Sequence, residues 1–370
     1  MEKNNIFTRR ADRIRIYWQN YSRLDRKAKT AFWADFLVKN IIYILIAAMV
    51  VYVQIDSFKS ASSNNFFTIK AAADILKRAS SIMFMALGVG GIIVLTGTDL
   101  SAGRVMGLTA CVCASLLQNP IEQYSAKMFA AMKAPPIIVV MLLSMSIGAL
   151  IGAFNGFFVA IFKPHPFIVT LATQLILYGV VLKYVQLGTN GGGPISGLTE
   201  SYKEFVKGTV DVFGDSIPYY VFYAVIAVVV MWFIWNRTTL GKNMYAVGAN
   251  PEAANVSGIS VTATIILIFM IAGALYGFSG FIVAARDGSN GPTTGVNKEL
   301  DAITACVIGG VSFTGGTGKI SGIVTGVVLL QIIDIAMQWL GKSTDTTYII
   351  RGAIIIAAVS IDMRKYLVKK

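Results

Sequence analysis

The chain has 370 residues, of which 55% are hydrophobic and only 14% are charged, whereas soluble domains carry about 25% charged residues. Apolar runs close to the roughly 20 residues needed to span a bilayer recur along its whole length. This excludes a soluble globular protein and predicts an all-α, polytopic membrane protein embedded in a lipid bilayer. The formal net charge of +13 does not indicate nucleic-acid binding, because many of the Lys and Arg residues are concentrated near the two ends of the chain.

The N-terminal segment 1–35 and the C-terminal tail 363–370 are both basic. Positive charge beside membrane spans marks cytoplasmic segments, so we expect both termini in the cytoplasm and an even number of crossings. Segment 1–35 is predicted to form an amphipathic helix on the membrane face, the alternative being a solvated tail. Apolar residues recur there at helical spacing: Ile14, Tyr17, Trp18, Tyr21 and Leu24.

About ten transmembrane helices are predicted within residues 36–362, which we interpret as a single transmembrane domain. We expect two pseudo-repeat halves, about 36–187 and 217–362, joined by the longest external loop. With ten crossings, the polar loop 236–260 lies in the cytoplasm. The expected spans are roughly 36–55, 79–97, 103–118, 136–162, 166–187, 217–235, 259–285, 301–311, 320–340 and 347–362.

Glycine-rich breaks interrupt the helices near 96–104 and 313–321. A Gly-Gly pair precedes each break and glycines four residues apart follow it, so the two regions read as a weak internal repeat. Paired interruptions in corresponding positions point to a transport path, because non-helical backbone is tolerated at membrane depth only where protein or a watery cavity meets it. The alternative is a pair of tight turns between helices.

The fourth span carries a ridge of glycines one turn apart. Such a ridge allows the backbone of a neighbouring helix to approach closely, so it predicts helix packing rather than chemistry. The glycines are Gly148, Gly152 and Gly156.

Few charged residues lie in the apolar regions. Ionisable groups within a membrane are costly and are usually paired or functional. In the expected topology Asp334 and Arg351 both lie toward the outer ends of neighbouring spans, which predicts a structural ion pair. Asp99 allows two interpretations: it lies at the mouth of a path, or it caps the half-helix that Ser101 and Gly103 begin.

The loop 236–260 carries the signals of a short helix. Asn250 can cap the first amide groups, and Pro251 suits the first helical position. Glu252 complements the helix dipole, and Gly258 can adopt the left-handed conformation that ends a helix. A helix of about seven residues is too short to be stable alone, so it needs a surface to dock against. The alternative is an ordinary capped loop.

The sequence shows no catalytic machinery, and we predict no metal and no cofactor in this chain. His165 is the only histidine, and it lies in a turn between prolines. The segment that ends in Gly318 and Lys319 resembles a phosphate-binding loop, but Phe313 replaces its first glycine and Ile320 its hydroxyl residue. The three cysteines are expected to pack as small apolar residues without a disulfide: Cys111, Cys113 and Cys306.

Three stretches resemble signatures of the permease subunits of sugar ABC importers of the ribose/galactose class. Within that class, the wording GTDLSAGR, where relatives usually carry glycine-isoleucine-aspartate, points toward the galactose/methyl-galactoside subunits. The resemblance extends from about residue 79 to 362, and segment 1–35 is longer and more basic than the family pattern. The stretches are GTDLSAGR (97–104), GKNMYAVGANPEAANVSGI (241–259) and ELDAITACVIGGVSFTGG (299–316).

The resemblance implies a homodimer in the bacterial cytoplasmic (inner) membrane that imports a monosaccharide by alternating access and is not itself an enzyme. The implied sugar is galactose, glucose or a methyl galactoside. An extracytoplasmic sugar-binding protein would deliver the sugar, and a separate ABC ATPase subunit would dock on the cytoplasmic face. The residues implied to couple to the ATPase are Asn250, Pro251, Glu252, Ala253, Ala254, Val256, Ser257 and Gly258. The candidate residues for the translocation path are Gly97, Thr98, Asp99, Ser101, Asn155, Thr170, Thr173, Gln174, Thr314, Gly315 and Gly316.

Other transport classes remain open at the level of sequence. An ion-coupled secondary transporter of a small polar solute usually needs carboxylates near the midplane, and only Asp99 and Asp334 are available. A passive channel would give no reason for a docking helix. A nucleoside-specific importer permease is also compatible, because the residues do not specify which solute is carried.

Overall fold

The computed structural model describes residues 25–26, 28–30, 33, 44, 46–55, 68–119, 127–129, 132–212 and 214–367. The predicted amphipathic segment 1–35 therefore lies almost wholly outside the described residues, as do the side chains of the basic tail. Within the predicted first span, Ile46–Ile55 forms an apolar helix.

The described chain is predominantly helical, which confirms the all-α prediction. Two short strands form an antiparallel hairpin that the sequence analysis did not foresee. In chain order the elements are α1 (Ile69–Val94), α2 (Ala102–Leu116), α3 (Ile137–Phe162), α4 (Pro166–Tyr184), α5 (Glu200–Lys207), β1 (Thr209–Val212), β2 (Asp215–Pro218), α6 (Tyr219–Arg237), α7 (Thr239–Ala249), α8 (Pro251–Val256), α9 (Val261–Asp287), α10 (Lys298–Ile308), α11 (Ile320–Trp339) and α12 (Thr344–Leu367).

Six of the described helices are long and apolar enough to cross a membrane: α1, α3, α4, α6, α9 and α11. The predicted count of ten spans is not confirmed. Helix α2 has 15 residues and α10 has 11, so at 1.5 Å per residue they reach about 22 and 17 Å. Both are shorter than the hydrocarbon core of a bilayer, which is about 30 Å thick. They are half-length helices beside irregular segments.

Helices α1 and α9 form the centre of the bundle. In the apolar window of α1, 89% of the residues are buried, against 22% in α3 and in α4. The predicted glycine ridge is confirmed, because Gly148 and Gly273 face each other so closely that a Cβ on either would overlap the other's carbonyl. Helices α3 and α9 therefore pack backbone to backbone.

The outer faces of α3, α4 and α6 carry large apolar side chains that the other described residues leave exposed. Leu150 is 71% exposed, Leu175 is 65% exposed and Val225 is 58% exposed. A soluble protein rarely exposes apolar side chains over so wide a surface, so these faces are suited to contact lipid.

One end of the bundle, which we call the hairpin end, carries α5 and the β1–β2 hairpin. Strand β1 pairs with β2 in the register Thr209 to Pro218, and Lys77 of α1 forms a 3.3 Å ion pair with Asp215 of β2. The buried Tyr202 of α5 donates a hydrogen bond to the carbonyl of Phe281 in α9. The segment expected as a plain external loop is thus a folded cap.

The opposite end, which we call the short-helix end, carries α7 and α8. Helix α7 was not predicted: Thr238 caps it by accepting a 3.2 Å hydrogen bond from the amide of Gly241. Tyr245 of α7 donates a 2.9 Å hydrogen bond to the carbonyl of Gly318. The polar loop 236–260 is therefore mostly helical and is bound to the bundle through α7.

Candidate translocation path and docking helix

The first break, residues 95–101, is a non-helical segment between α1 and α2 that is held by Asp99. The Asp99 carboxylate accepts hydrogen bonds from the amide of Ser101 at 2.9 Å and from its hydroxyl at 2.6 Å. Both side chains are almost completely buried. Asp99 therefore binds the residue that precedes α2, but the predicted cap is not confirmed, because Ser101 holds the N-cap position and no side chain caps the first amides of α2.

The Asp99 cluster continues into α3 and α4. Asn155 donates a 3.0 Å hydrogen bond to the Ser101 hydroxyl, and its own carbonyl oxygen accepts one of 2.6 Å from Thr173. Thr170 donates to the carbonyl of Thr98 at 3.1 Å. Six of the predicted path residues thus form two neighbouring hydrogen-bonded sets, which are joined through the backbone at Thr98–Asp99 and which we together call the break network: Thr98, Asp99, Ser101, Asn155, Thr170 and Thr173.

The break network is made of neutral donors around one carboxylate. Within the part of the chain that the structure describes, no Lys or Arg forms an ion pair with Asp99. A satisfied buried polar network fixes a single arrangement of the groups that make it. The network therefore fixes the start of α2 against α3 and α4.

Two other predicted path residues lie beside the network. Gly97 packs against Pro166 at the start of α4. Gln174 follows Thr173 on α4 and is half-buried. Neither is among the residues whose hydrogen bonds define the break network.

The second break lies at the short-helix end and meets α1 and α7 rather than the break network. The amide of Gly316 donates a 2.9 Å hydrogen bond to the carbonyl of Val94, the last residue of α1. Gly315 and Gly316 have φ angles of +80° and +67°, which glycine adopts without strain. Thr314 lies in the same turn, 2.8 Å from the Ser312 hydroxyl. The two breaks come close through Thr96, which packs on Gly315.

A third irregular segment, 288–297 between α9 and α10, was not predicted as part of the site. Its backbone packs directly on the start of α2, because a Cβ on Gly103 or Gly107 would overlap the carbonyl of Gly295 or Thr294. Arg104 donates a 2.7 Å hydrogen bond to the carbonyl of Pro292. The glycines and polar residues of the stretch GSNGPTTGVN were the signal that could have revealed it.

Helix α8 has the predicted caps. The Asn250 side chain accepts a 3.0 Å hydrogen bond from the amide of Ala253, Pro251 occupies the first position, and Gly258 has a φ of +82°. Ala254 is buried against the bundle, whereas Val256 is 90% exposed. The remaining predicted coupling residues, Glu252, Ala253 and Ser257, are exposed on the same short helix.

The predicted ion pair at the hairpin end is confirmed and is larger than expected. Arg351 binds Asp334 with two nitrogens, one of them at 2.9 Å, and also binds Asp301 of α10. Lys298 approaches the second oxygen of Asp301 at 3.3 Å. These four groups, which we call the ion cluster, tie α10, α11 and α12 together.

The small polar clusters, the half-length helices beside irregular segments and the lipid-facing surfaces define a polytopic transport protein. A family model described as "Branched-chain amino acid transport system / permease component" matches residues 71–359, and the chain belongs to this family. The predicted resemblance to permease subunits of sugar ABC importers is confirmed by the curated relatives, and the chain is a transport subunit rather than an enzyme.

The relatives cover most of the chain. The galactose/methyl galactoside import permease protein MglC of Escherichia coli (strain K12) is 44% identical over 305 residues, 82% of this chain and 90% of the relative. MglC of Haemophilus influenzae is 40% identical over 336 residues, which are 91% of this chain and 97% of the relative. The ribose import permease protein RbsC of E. coli (strain K12) is 33% identical over 313 residues, which are 83% of this chain and 89% of the relative. A search of the solved structures gave no significant match.

Proposed function

We propose that the chain forms the translocation path of an importer for a neutral monosaccharide, galactose or a methyl galactoside. The break network supports a neutral cargo, because its side chains are hydroxyls and an amide, with its one carboxylate already accepting hydrogen bonds from Ser101. The relatives that carry galactose in their names are more similar to this chain than those that carry ribose. A nucleoside-specific importer is the alternative within the same class.

In this proposal the short-helix end faces the cytoplasm, and the hairpin end faces the outside. The basic termini and Arg237 and Lys242 in the loop 236–260 support that orientation, because positive charge marks the cytoplasmic side. An extracytoplasmic sugar-binding protein would then deliver the cargo to the hairpin end of a protein in the bacterial cytoplasmic membrane.

The observation that carries the coupling role is the exposure of Val256 on α8. A large apolar side chain that is 90% exposed, on a six-residue helix with the Glu252 carboxylate beside it, suits a groove on a partner protein. We infer that this partner is the ABC ATPase subunit. Its closure on ATP would favour one packing of the permease over another, as differential binding requires.

We also infer that two copies of the chain assemble around the path. The break network is closed within a single protomer, since its members bond to one another and are largely buried. A sugar that passes beside the break network needs a second surface to enclose its path. A second copy of the chain, related by two-fold symmetry, provides that surface.

Ion coupling finds less support in the geometry. Among the described residues four carboxylates are buried, Asp99, Glu299, Asp301 and Asp334. Arg351 binds Asp334 and Asp301, and this leaves Asp99 and Glu299 for a coupling ion. Exchange of an ion at Asp334 would have to break a buried ion pair, which is strongly destabilising.

The coupling role is tested with Val256→Asp in the complex of permease, ATPase and binding protein. A charge placed in an apolar groove should reduce co-purification of the ATPase and abolish sugar uptake by proteoliposomes, while the permease itself remains folded. Thr239→Asp is the matched control, since it adds the same charge to an exposed position of the same end, at a helix start that favours an acid. Normal ATPase retention by Val256→Asp would overturn the coupling role.

A further inference from the structure

A cavity of about 350 Å³ opens at the hairpin end, between the helices α1, α9, α10, α11 and α12. Its volume lies within the range of small-molecule sites, about 300 to 1,000 Å³. The cavity is separate from the break network and from α8, because none of their residues line it. Its lining includes Lys77, Ser81, Gln331, Asp334 and Arg351.

Most of the charges that line this cavity are already paired; Arg78, also in its lining, donates a 2.9 Å hydrogen bond to the neutral Gln338. Arg351 is bound by Asp334 and Asp301, and Lys77 by Asp215. Lys298 approaches Asp301 at 3.3 Å. An anionic solute would therefore have to compete with buried carboxylates for Arg351, and a cationic solute would have to compete with Arg351 for the carboxylates. A neutral solute leaves these pairs intact.

One polar group in the lining lacks a partner. Gln331 of α11 is 3% exposed, and its side-chain nitrogen Nε2 has no hydrogen-bond partner among the described residues. Leaving a buried donor unsatisfied is costly, about 1–3 kcal/mol, and such a group in a native structure calls for an explanation. The nitrogen itself has almost no accessible surface, so the Gln331 side chain has to turn toward the cavity, where an acceptor oxygen of a solute would satisfy it.

We propose that this cavity is a binding site for a neutral polyhydroxylated solute, with the Gln331 amide donating to one of its hydroxyl oxygens. The carboxylate oxygens of Asp301 and Asp334 retain lone pairs that can accept from further hydroxyls. The proposal rests on the proposed function, which supplies a monosaccharide as the cargo and places the hairpin end outside. Each protomer would then hold an outer subsite that the sugar occupies before it reaches the path.

The test uses the permease–ATPase complex in lipid nanodiscs, with Ser81→Cys as a reporter in the cavity. The native cysteines are buried, so a charged thiol reagent should modify the new thiol first. Galactose should slow this modification in a concentration-dependent way. Ser201→Cys, on the exposed face of α5, is the matched control and should be modified at the same rate with and without galactose.

The role of Gln331 is tested by adding Gln331→Leu to the reporter. Loss of one neutral hydrogen bond should raise the galactose concentration for half-protection by about 3- to 10-fold. Gln186→Leu makes the same change at an exposed position outside the cavity and should leave the galactose concentration for half-protection unchanged. Gln331→Asn keeps an amide donor, so its galactose concentration for half-protection should lie between those of the reporter alone and of Gln331→Leu. It replaces the leucine variant if that variant does not fold.

Three results would overturn the inference. The Ser81→Cys thiol could be unreactive, galactose could fail to protect it, or galacturonate, the carboxylate analogue, could protect it at lower concentration than galactose. ATP-driven uptake of galactose by the wild-type complex is measured in parallel. Uptake without protection refutes the cavity site alone, whereas absence of galactose uptake refutes the proposed substrate.

Discussion

Replacement of Arg351 by Met removes the positive charge at the centre of the ion cluster while keeping a long apolar stem. Arg351 is bound by Asp334 and Asp301, whose side chains are each 11% exposed. In the variant Lys298 remains 3.3 Å from Asp301, but Asp334 is left as a buried carboxylate without a cation. The loss therefore falls mainly on Asp334.

The expected magnitude follows from that uncompensated charge. Removal of one partner of a buried ion pair costs about 3–5 kcal/mol. A change of 1 kcal/mol shifts the melting temperature of domains of 150–250 residues by about 2–4 °C, so we expect a loss on the order of 10 °C for Arg351→Met. Adding Asp334→Asn removes the stranded charge, and the double variant should recover more than half of that loss.

The assay is the apparent melting temperature of the purified complex, followed by the loss of its size-exclusion peak after heating. Because membrane complexes unfold irreversibly, all variants are heated at one rate. Arg237→Met, at an exposed position of the short-helix end, is the control and should shift melting by about 1–2 °C. A melting temperature of Arg351→Met equal to that of the wild type, or a double variant that melts below Arg351→Met, would show that Arg351 does not compensate a buried charge on Asp334.

Three further variants test the fold and the candidate site. Gly148→Val places a Cβ against the carbonyl of Gly273 and should cost about 1–3 kcal/mol by overpacking, whereas Gly179→Val, which meets open space, should be neutral in the same melting assay. Asn250→Ala removes the cap of α8 and should cost about 0.5–2 kcal/mol of local helix stability, lowering ATPase co-purification with little change in melting. Asn155→Leu strands the buried hydroxyl of Thr173, at about 1–3 kcal/mol, removes the hydrogen bond to Ser101, and should lower both melting and sugar uptake.

Each of these three predictions has a result that would contradict it. Equal melting of the two valine variants would show that α3 and α9 are not in backbone contact. Unchanged ATPase retention by Asn250→Ala would remove the need for a preformed α8. Melting and uptake of Asn155→Leu at the wild-type level would show that the break network does not hold α2 in place.

The features that the sequence predicted correctly depend on short-range signals. Helix α8 is specified by Asn250, Pro251 and Gly258 within nine residues, so its caps could be read directly. The glycine ridge on α3 required only helical spacing. The pairing of Asp334 with Arg351 followed from the cost of isolated charges in a membrane, although the participation of Asp301 did not.

The features that were missed depend on proximity between distant segments. Ser101 and Asn155 are 54 positions apart in the chain, and Arg104 and Pro292 are 188 apart, so no local pattern joins them. Helices α2 and α10 were predicted as membrane spans because their residues are apolar. Hydropathy reflects composition and does not indicate the membrane depth at which a helix ends. The hairpin and α7 were missed because short elements in polar segments carry weak periodicity.

The most direct test of the central claim is sugar uptake by proteoliposomes that contain this chain with and without its ATPase subunit. With the binding protein and galactose outside and ATP inside, we expect uptake only when the ATPase subunit and ATP are both present. A proton or sodium gradient should not replace them. Uptake driven by an ion gradient through the chain alone would show that the chain is not the permease of an ATP-driven importer.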